Sequence, residues 1–283
     1  MKSLKDTYTL CNGVKIPCVG FGTWQIPEGE TVINPVKAAL SSGYVHIDTA
    51  AAYGNETGVG EGIRQSGVDR KDLFIATKLP TGQHGYENTM ATFKKSMERL
   101  GIETLDLYLV HWPNPINVRD HWRKALQETW RAFEELYEAG KIRAIGLCNS
   151  KPHHIEAVLE TAKIAPMINQ IHLCPGDPQT ETVEYCKSKN ILIEAYSPLG
   201  VGKIFEVPEV AKLAKKYGRT VAQVCIRWSL QQGYLPLPKS VTPSRIAENT
   251  QVFDFELENE DIGYLAGLTG CAGYGYDPDS ITW

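Results

Sequence analysis

The sequence YVHIDTAAAYGNE occupies residues 44–56 and opens with a short apolar run that ends at Asp48. Two further apolar runs have the same form: LFIATKLP at residues 73–80 and LDLYLVHWP at residues 105–113. Near their ends stand Lys78 and His111. A buried strand can carry ionisable groups inward only where they pair with one another. Each charge alone could mark a strand that leaves the core, but the three runs together predict one shared site at neighbouring strand ends.

The composition is that of a globular protein. The chain has 283 residues, of which 42% are hydrophobic and 22% charged, and its net charge is −4. A weakly acidic chain gives no reason to expect a nucleic-acid partner. No apolar run is long enough to span a bilayer, and residues 1–10 lack the apolar core of a signal peptide. We therefore expect a cytoplasmic protein without a membrane partner. We also expect a monomer, although none of these properties determines the oligomeric state.

Seven cysteines are scattered along the chain: Cys11, Cys18, Cys148, Cys174, Cys186, Cys225 and Cys271. None forms a CxxC pair, so the sequence predicts neither a zinc site nor a disulfide framework, and a reducing cytosol suits it. His153 and His154 stand beside a predicted helix start, and no metal site is predicted around them.

From residue 18 onward, strand-like apolar runs alternate with amphipathic helical segments, which is typical of βα units around a parallel sheet. The predicted strands are residues 19–23, 44–48, 74–78, 107–111, 144–148, 168–172, 192–196 and 235–238. Eight such units predict an α/β fold, a (β/α)8 TIM barrel, as one domain over residues 1–283. Alternation around Asn12-Gly13 predicts an N-terminal β-hairpin closing the bottom. Active sites of these barrels lie at the C-terminal strand ends, where the three ionisable residues fall.

Tyr53 follows Asp48 within DTAAAYGNE, which is close to the pattern D-x-A-x-x-Y-G-N-E of the aldo-keto reductases. With Lys78 and His111 in order behind it, the chain resembles this family over nearly its whole length. The resemblance implies a catalytic tetrad of Asp48, Tyr53, Lys78 and His111. Tyr53 would be the general acid and His111 would position the substrate. Because an ordinary tyrosine has a pKa of about 10, we expect Lys78, held by Asp48, to lower it.

The segment LPLPKSVTPSRIAEN at residues 235–249 predicts an anion site. Thr242-Pro243 marks a helix N-terminus, which presents free N–H groups. Three donors flank it: Lys239, Ser240 and Arg245. These donors exceed what a pyrophosphate requires and fit the additional 2′-phosphate of NADPH. The resemblance implies a wider cofactor site, made of Gly22, Thr23, Trp24, Cys148, Asn149, Gln170, Tyr196, Ser197, Leu199, Gly200, Lys239, Ser240, Val241, Thr242, Arg245, Glu248 and Asn249.

Cys148-Asn149-Ser150 stands where the family has Ser-Asn-Phe. A thiol is a weaker donor than a hydroxyl, so one hydrogen bond to the nicotinamide carboxamide should weaken by on the order of 1 kcal/mol. Two interpretations of Cys148 stay open. It is either a thiol that alkylating reagents block and NADPH protects, or a buried inert cysteine.

Trp24, Tyr53 and Trp112 suggest an aromatic-walled pocket for an apolar or aromatic carbonyl compound. The loop at residues 113–123 and the tail at residues 273–283 are expected to close it through Trp122 and Trp283. Two arginines of this loop, Arg119 and Arg123, either meet a carboxylate substrate or lie on the surface.

The sequence thus predicts an NADPH-dependent oxidoreductase that reduces aldehydes and ketones to alcohols reversibly, acting on small carbonyl or alcohol substrates. One alternative is a non-enzymatic protein of the same fold that senses the cofactor or serves a structural role. Another is a Schiff-base barrel enzyme that uses Lys78, although that chemistry has no use for Tyr53.

Overall fold

The computed structural model describes residues 1–272 and 275–283. Near the N-terminus, β1 (Thr7–Thr9) and β2 (Lys15–Pro17) form the predicted antiparallel hairpin. Its turn contains Gly13 at φ 86°, a left-handed conformation that glycine adopts without strain.

Eight parallel strands follow, each paired with the next in chain order. They are β3 (Phe21–Gly22), β4 (His46–Asp48), β5 (Phe74–Leu79), β6 (Leu105–Val110), β7 (Ile142–Cys148), β8 (Ile168–His172), β9 (Leu192–Tyr196) and β10 (Leu235–Leu237). Two hydrogen bonds link the first strand of this sheet to the last: Gly20 N–H donates to Pro236 O and Gly22 N–H to Pro238 O, both at 3.1 Å. The sheet is therefore a nearly closed barrel, and the predicted TIM-barrel fold is confirmed.

The hairpin covers the N-terminal end of this barrel. Asn12 Nδ2 donates to Arg143 O, near the start of β7, at 3.0 Å. The Tyr8 hydroxyl donates to Tyr234 O, just before β10, at 3.0 Å. With the bottom covered in this way, the opposite rim, where the strands end, is left for a ligand.

Ten α-helices lie within the described residues and surround or flank the barrel. They are α1 (Glu30–Ser41), α2 (Glu56–Ser66), α3 (Tyr86–Leu100), α4 (Trp122–Glu138), α5 (Pro152–Leu159), α6 (Thr180–Ser188), α7 (Pro208–Tyr217), α8 (Val221–Gln231), α9 (Pro243–Glu248) and α10 (Asn259–Gly267). The helix starts predicted beside His153 and after Thr242 are found, at Pro152 and Pro243, and α8 begins after Thr220. Throughout residues 1–272 and 275–283, every helix is too short or too polar to span a bilayer.

Strand bounds differ from the predictions by up to two residues. β6 begins at Leu105 and ends at Val110, so His111 lies one residue beyond the strand and not at its end. β8 and β9 have the predicted bounds. The apolar runs locate the strands well, but hydrogen-bond pairing with the neighbours decides where each one stops.

Candidate active site

The four tetrad positions meet at the C-terminal rim of the barrel. Lys78 Nζ donates to both carboxylate oxygens of Asp48, at 2.7 and 2.8 Å, and to Thr49 O at 2.9 Å. Its distance to the Tyr53 hydroxyl is 3.3 Å. The Lys78 side chain is fully buried, so its charge is compensated by Asp48 in a region with little water. The strand ends bring these side chains together because β4 and β5 are hydrogen-bonded neighbours.

The pKa of Tyr53 is not lowered overall, contrary to the expectation from the sequence. Its ring is partly exposed to the cavity, but the hydroxyl lies deep beside Lys78. Loss of hydration raises the pKa of this phenol above its ordinary value, and the opposing effect of Lys78 is only partial because Asp48 is also close. Tyr53 therefore carries its proton at neutral pH, as a general acid must.

His111 completes the group as a neutral imidazole. Its ring centroid lies 5.7 Å from that of Tyr53, in an edge-to-face arrangement. Burial lowers the pKa of His111 to about 3, with Lys78 contributing in the same direction. A neutral imidazole can donate one hydrogen bond to a carbonyl oxygen without competing for the proton of Tyr53.

A cavity of about 1010 Å³ runs from the tetrad to α9. Most of the predicted site residues line it: Gly22, Trp24, Asp48, Tyr53, His111, Trp112, Cys148, Asn149, Gln170, Tyr196, Ser197, Leu199, Lys239, Ser240, Arg245, Glu248, Asn249 and Trp283. The cavity thus joins the predicted anion site to the tetrad, although these segments are far apart in sequence.

Four residues proposed for the cofactor site do not line the cavity: Thr23, Gly200, Val241 and Thr242. Thr23 is buried and its hydroxyl donates to Asp48 O at 2.9 Å, so it supports the rim from below. Gly200 packs against Ala272, where a Cβ atom would approach within 3.0 Å.

Trp122 is likewise not a pocket wall. Its ring packs edge-to-face on His154, with centroids 5.0 Å apart, at the start of α4. Its sequence position after β6 suggested the pocket, but Trp122 follows the 3₁₀-helix Ile116–His121 and its ring contacts α5.

Several lining residues were not anticipated: Gln25, Ala52, Thr81, Pro198, Val201, Gly202, Phe205, Thr220, Val221, Ala222 and Leu237. They lie in loops, in short 3₁₀-helices, at the start of α8 and at the end of β10, and they share no sequence motif. Tyr276 also lines the cavity and lies in the tail that was expected to close the pocket. Thr220 is the N-cap residue of α8, and its hydroxyl donates to Glu248 Oε1 at 2.8 Å.

Three aromatic rings line the end of the cavity where the sequence predicts the substrate pocket. Trp112 lies 5.8 Å from Trp283 and 6.4 Å from Tyr276, measured between ring centroids. The predicted contribution of the tail is therefore seen at residues 275–283, whereas Gly273 lies outside the described residues. Arg119 donates to the backbone oxygens of Asn114 and Ile281, and Arg123 pairs with Glu160. Both arginines are committed elsewhere, which disfavours the carboxylate-substrate interpretation.

Cys148 lies in the cavity wall with its thiol 3.2 Å from Asn149 Nδ2 and 3.8 Å from Gln170 Oε1. Burial raises the pKa of Cys148 well above that of a free cysteine. A protonated, buried thiol is a poor nucleophile, so the structure favours the inert interpretation.

The structure brings Asp279 close to His153 and His154, a proximity that could not be expected from the sequence. Potential metal-ligand atoms of the three residues lie within 4.8 Å of one another. The backbone N–H of Lys151 donates to His154 Nδ1 at 3.2 Å, which places the ring proton on Nε2. Nε2 then donates to Asp279 Oδ1 at 2.9 Å. These bonds favour a hydrogen-bonded attachment of the tail over a metal site.

Comparison with known proteins agrees with this geometry. The model of the Aldo/keto reductase family matches residues 18–269. Glyoxal reductase of Bacillus subtilis is 46% identical over 279 residues, which cover 99% of this chain and 98% of that protein. Methylglyoxal reductase DkgA of Escherichia coli K12 is 40% identical over 274 residues, or 96% of each chain. A variant of Gox0644 crystallised in complex with NADPH has a TM-score of 0.90 and 35% identity, covering 98% of this chain and 99% of its own. This chain belongs to the aldo/keto reductase family.

Proposed function

We propose that the protein is an NADPH-dependent reductase of aldehydes and ketones that forms alcohols reversibly, an oxidoreductase acting on CH–OH groups. One observation carries the proposal. A fully buried ammonium, held by both oxygens of Asp48, lies 3.3 Å from the Tyr53 hydroxyl at the floor of a large cavity. Such an arrangement suits proton donation to an oxygen that gains negative charge.

The residues along the cavity fit NADPH. Lys239, Ser240 and Arg245 line its far end and offer cationic and hydroxyl donors to phosphate groups. Asn149, Gln170 and Tyr196 line the end next to the tetrad and offer amide groups and an aromatic face to a nicotinamide ring. A structurally similar relative was crystallised with NADPH. When bound, NADPH supplies the hydride that reduces the carbonyl carbon.

The protein's own residues then have distinct tasks. Tyr53 gives its proton to the carbonyl oxygen, and Lys78 stabilises the phenolate that remains. Asp48 keeps Lys78 charged and in place. Burial alone would lower the pKa of Lys78, but Asp48, with Tyr53 and Cys148 contributing, raises it overall. His111, neutral at physiological pH, donates a hydrogen bond that orients the carbonyl. All of these groups come from one chain, so we propose that a monomer is competent.

The substrates are proposed to be small uncharged aldehydes and ketones, including α-dicarbonyl compounds. Two relatives are named for reduction of glyoxal and methylglyoxal. The aromatic rings around the mouth suit apolar or aromatic groups next to the carbonyl.

The proposal is tested by following NADPH oxidation with methylglyoxal and 4-nitrobenzaldehyde. Wild type should be active, and Tyr53→Phe should lose at least about 100-fold in kcat, the range of general acid catalysis, while binding NADPH with unchanged affinity. Binding of NADPH without turnover of any carbonyl compound would favour the non-enzymatic alternative.

The Schiff-base alternative is disfavoured by the state of Lys78, because its ammonium donates to three oxygens and its pKa is raised, not lowered. A Schiff-base lysine must be available as a neutral amine. Borohydride trapping of a carbonyl substrate on Lys78 would contradict the proposed function.

A further inference from the structure

Glu194 is a fully buried carboxyl group that the proposed mechanism does not use. It lies on β9, and its side chain reaches His46 of β4, with 3.5 Å between Glu194 Oε1 and His46 Nε2. Because β9 and β4 are separated by four strands in the sheet, this contact crosses the interior of the barrel. Glu194 therefore lies inside the barrel, close to the tetrad.

Gln170 connects Glu194 to the tetrad. Gln170 Nε2 donates to Glu194 Oε2 at 2.7 Å and to Asp48 Oδ2 at 2.9 Å. A side-chain amide has two N–H groups, so both are engaged by carboxyl groups. Turning the amide over would place its oxygen against these two acceptors, which is unfavourable. The Gln170 oxygen is thereby left on the side of Cys148 and the cavity.

The buried charges around Glu194 balance only if the His46–Glu194 pair holds a proton between its facing atoms. The ionisable groups that face it are His46 and Asp48 from β4, Lys78 from β5 and Cys148 from β7. Lys78 is the only cation among them, and Asp48 already compensates it. Burial, with Asp48 contributing, raises the pKa of Glu194 to about 8, and burial lowers the pKa of His46 to about 3. The proton therefore stays on Glu194, whose Oε1 faces His46 Nε2.

We propose that Glu194 is a positioning residue for the cofactor: together with Asp48 it occupies both N–H groups of Gln170, and so keeps the Gln170 oxygen turned toward the carboxamide N–H₂ of the nicotinamide. This inference rests on the proposed function, because it requires a nicotinamide at this end of the cavity. It adds a selectivity that the tetrad does not supply, namely preference for a carboxamide over an acetyl group on the pyridine ring.

The test compares binding of NADP⁺ and its 3-acetylpyridine analogue, which has a methyl group in place of the amide nitrogen. Both affinities are measured by calorimetry for wild type, Glu194→Met and Glu194→Gln. Wild type should prefer NADP⁺. Glu194→Met, similar in length but unable to accept a hydrogen bond, should bind NADP⁺ at least about fivefold more weakly, the loss of one hydrogen bond. Its affinity for the analogue should stay within twofold.

Glu194→Gln provides the conservative rescue, because its oxygen can accept from Gln170 and its N–H₂ can donate to His46 Nε2. Its preference for NADP⁺ should stay within twofold of wild type. Glu134→Met is the matched control. Glu134 is a buried carboxyl on α4 that accepts from two backbone N–H groups and does not line the cavity. This variant should lower the melting temperature without changing the ratio of the two affinities.

Two results would overturn the inference: a wild-type ratio in folded Glu194→Met, or a lost preference in Glu194→Gln. The result with Glu194→Gln remains decisive even if Glu194→Met does not fold. These results differ from those expected if the proposed function is wrong. In that case wild type would fail to bind both nucleotides, or it would not oxidise NADPH with any carbonyl compound.

Discussion

The Tyr53 hydroxyl is subject to two opposing influences. Loss of hydration raises its pKa, and the ammonium of Lys78 at 3.3 Å lowers it. The first prevails in the resting protein, so the phenol is protonated before a substrate arrives. In the proposed mechanism the ammonium matters most when the proton leaves Tyr53, because it then faces a phenolate in a region of low dielectric constant. The residue types at this site could be predicted from the sequence, but not the balance between burial and charge, which depends on depth.

For His111 the lowered pKa predicts how kcat/KM depends on pH. Since its pKa is about 3 and not the ordinary 6.5, the imidazole is neutral at every pH above roughly 4. The kcat/KM for 4-nitrobenzaldehyde, measured from pH 5 to 8, should therefore have no break near 6.5. A break in wild type that disappears in His111→Gln would show that the ring titrates in this range.

For Cys148 we expect slow alkylation. Its thiol is buried and its pKa is raised, so little thiolate is present at pH 7.5. Mass mapping after iodoacetamide treatment should show exposed Cys11 modified well before Cys148, and Cys148→Ser should keep wild-type activity. The thiol would be reactive, contrary to this expectation, if iodoacetamide inactivated wild type rapidly, if NADPH prevented the inactivation, and if Cys148→Ser were resistant.

Among the elements, the tail at residues 275–283 shows where sequence information was insufficient. Trp283 could be proposed as a pocket residue from its aromatic character. Asp279 could not, because its partners His154 and Asn114 lie 125 and 165 residues away in sequence. A strand, by contrast, can be predicted from its own apolar run alone. Contacts of a tail with a loop and with the start of α5 form only in the assembled barrel.

Asp279→Ala should loosen this tail and raise the KM for 4-nitrobenzaldehyde about three- to tenfold, as expected from loss of one or two hydrogen bonds. The affinity for NADPH should stay within twofold, because the cofactor end of the cavity is untouched. Steady-state kinetics and fluorescence titration measure the two quantities. Asp69→Asn, at an exposed surface pair with Lys71, is the control and should change neither. An unchanged KM in Asp279→Ala would mean that the tail is held by other contacts.

At the scale of the whole molecule, barrel closure explains why a site assembled from distant segments could be predicted in part. Eight apolar runs predict the barrel, and parallel strands place their C-terminal ends on one rim. Asp48 and Lys78 therefore meet, and the segment containing Arg245 joins the same cavity. The interior pair His46 and Glu194 was not recognised, because side chains from opposite strands meet there without any local pattern.

The buried ionisable groups also predict how stability varies with pH. The pKa of His46 and His111 is lowered to about 3, and that of His84 and His154 to about 4. The unfolded chain then binds more protons, so these groups make stability rise with pH up to about 6.5. Glu194 has the opposite effect on stability. Its pKa is raised to about 8, so the folded state binds the extra proton and stability falls as this proton is lost.

The effect of Glu194 is isolated by subtracting the free energy of unfolding of Glu194→Gln from that of wild type, because both proteins keep the histidines. This difference should fall as the pH rises from about 5 to 8, by at most about 1.4 kcal/mol per pH unit. Urea unfolding at several pH values measures it. A difference that does not change with pH would mean that Glu194 is not protonated in the folded protein.

The central claim is that the charge of Lys78, held by Asp48, makes proton donation by Tyr53 possible. The most direct test is single-turnover hydride transfer, followed as loss of NADPH absorbance after mixing the NADPH complex with 4-nitrobenzaldehyde. The double variant Lys78→Met/Asp48→Asn removes both charges, so neither is left buried and unpaired. Its rate should be at least about 100-fold below wild type, equivalent to two pKa units at Tyr53, with NADPH affinity retained. A rate within tenfold of wild type would contradict the account.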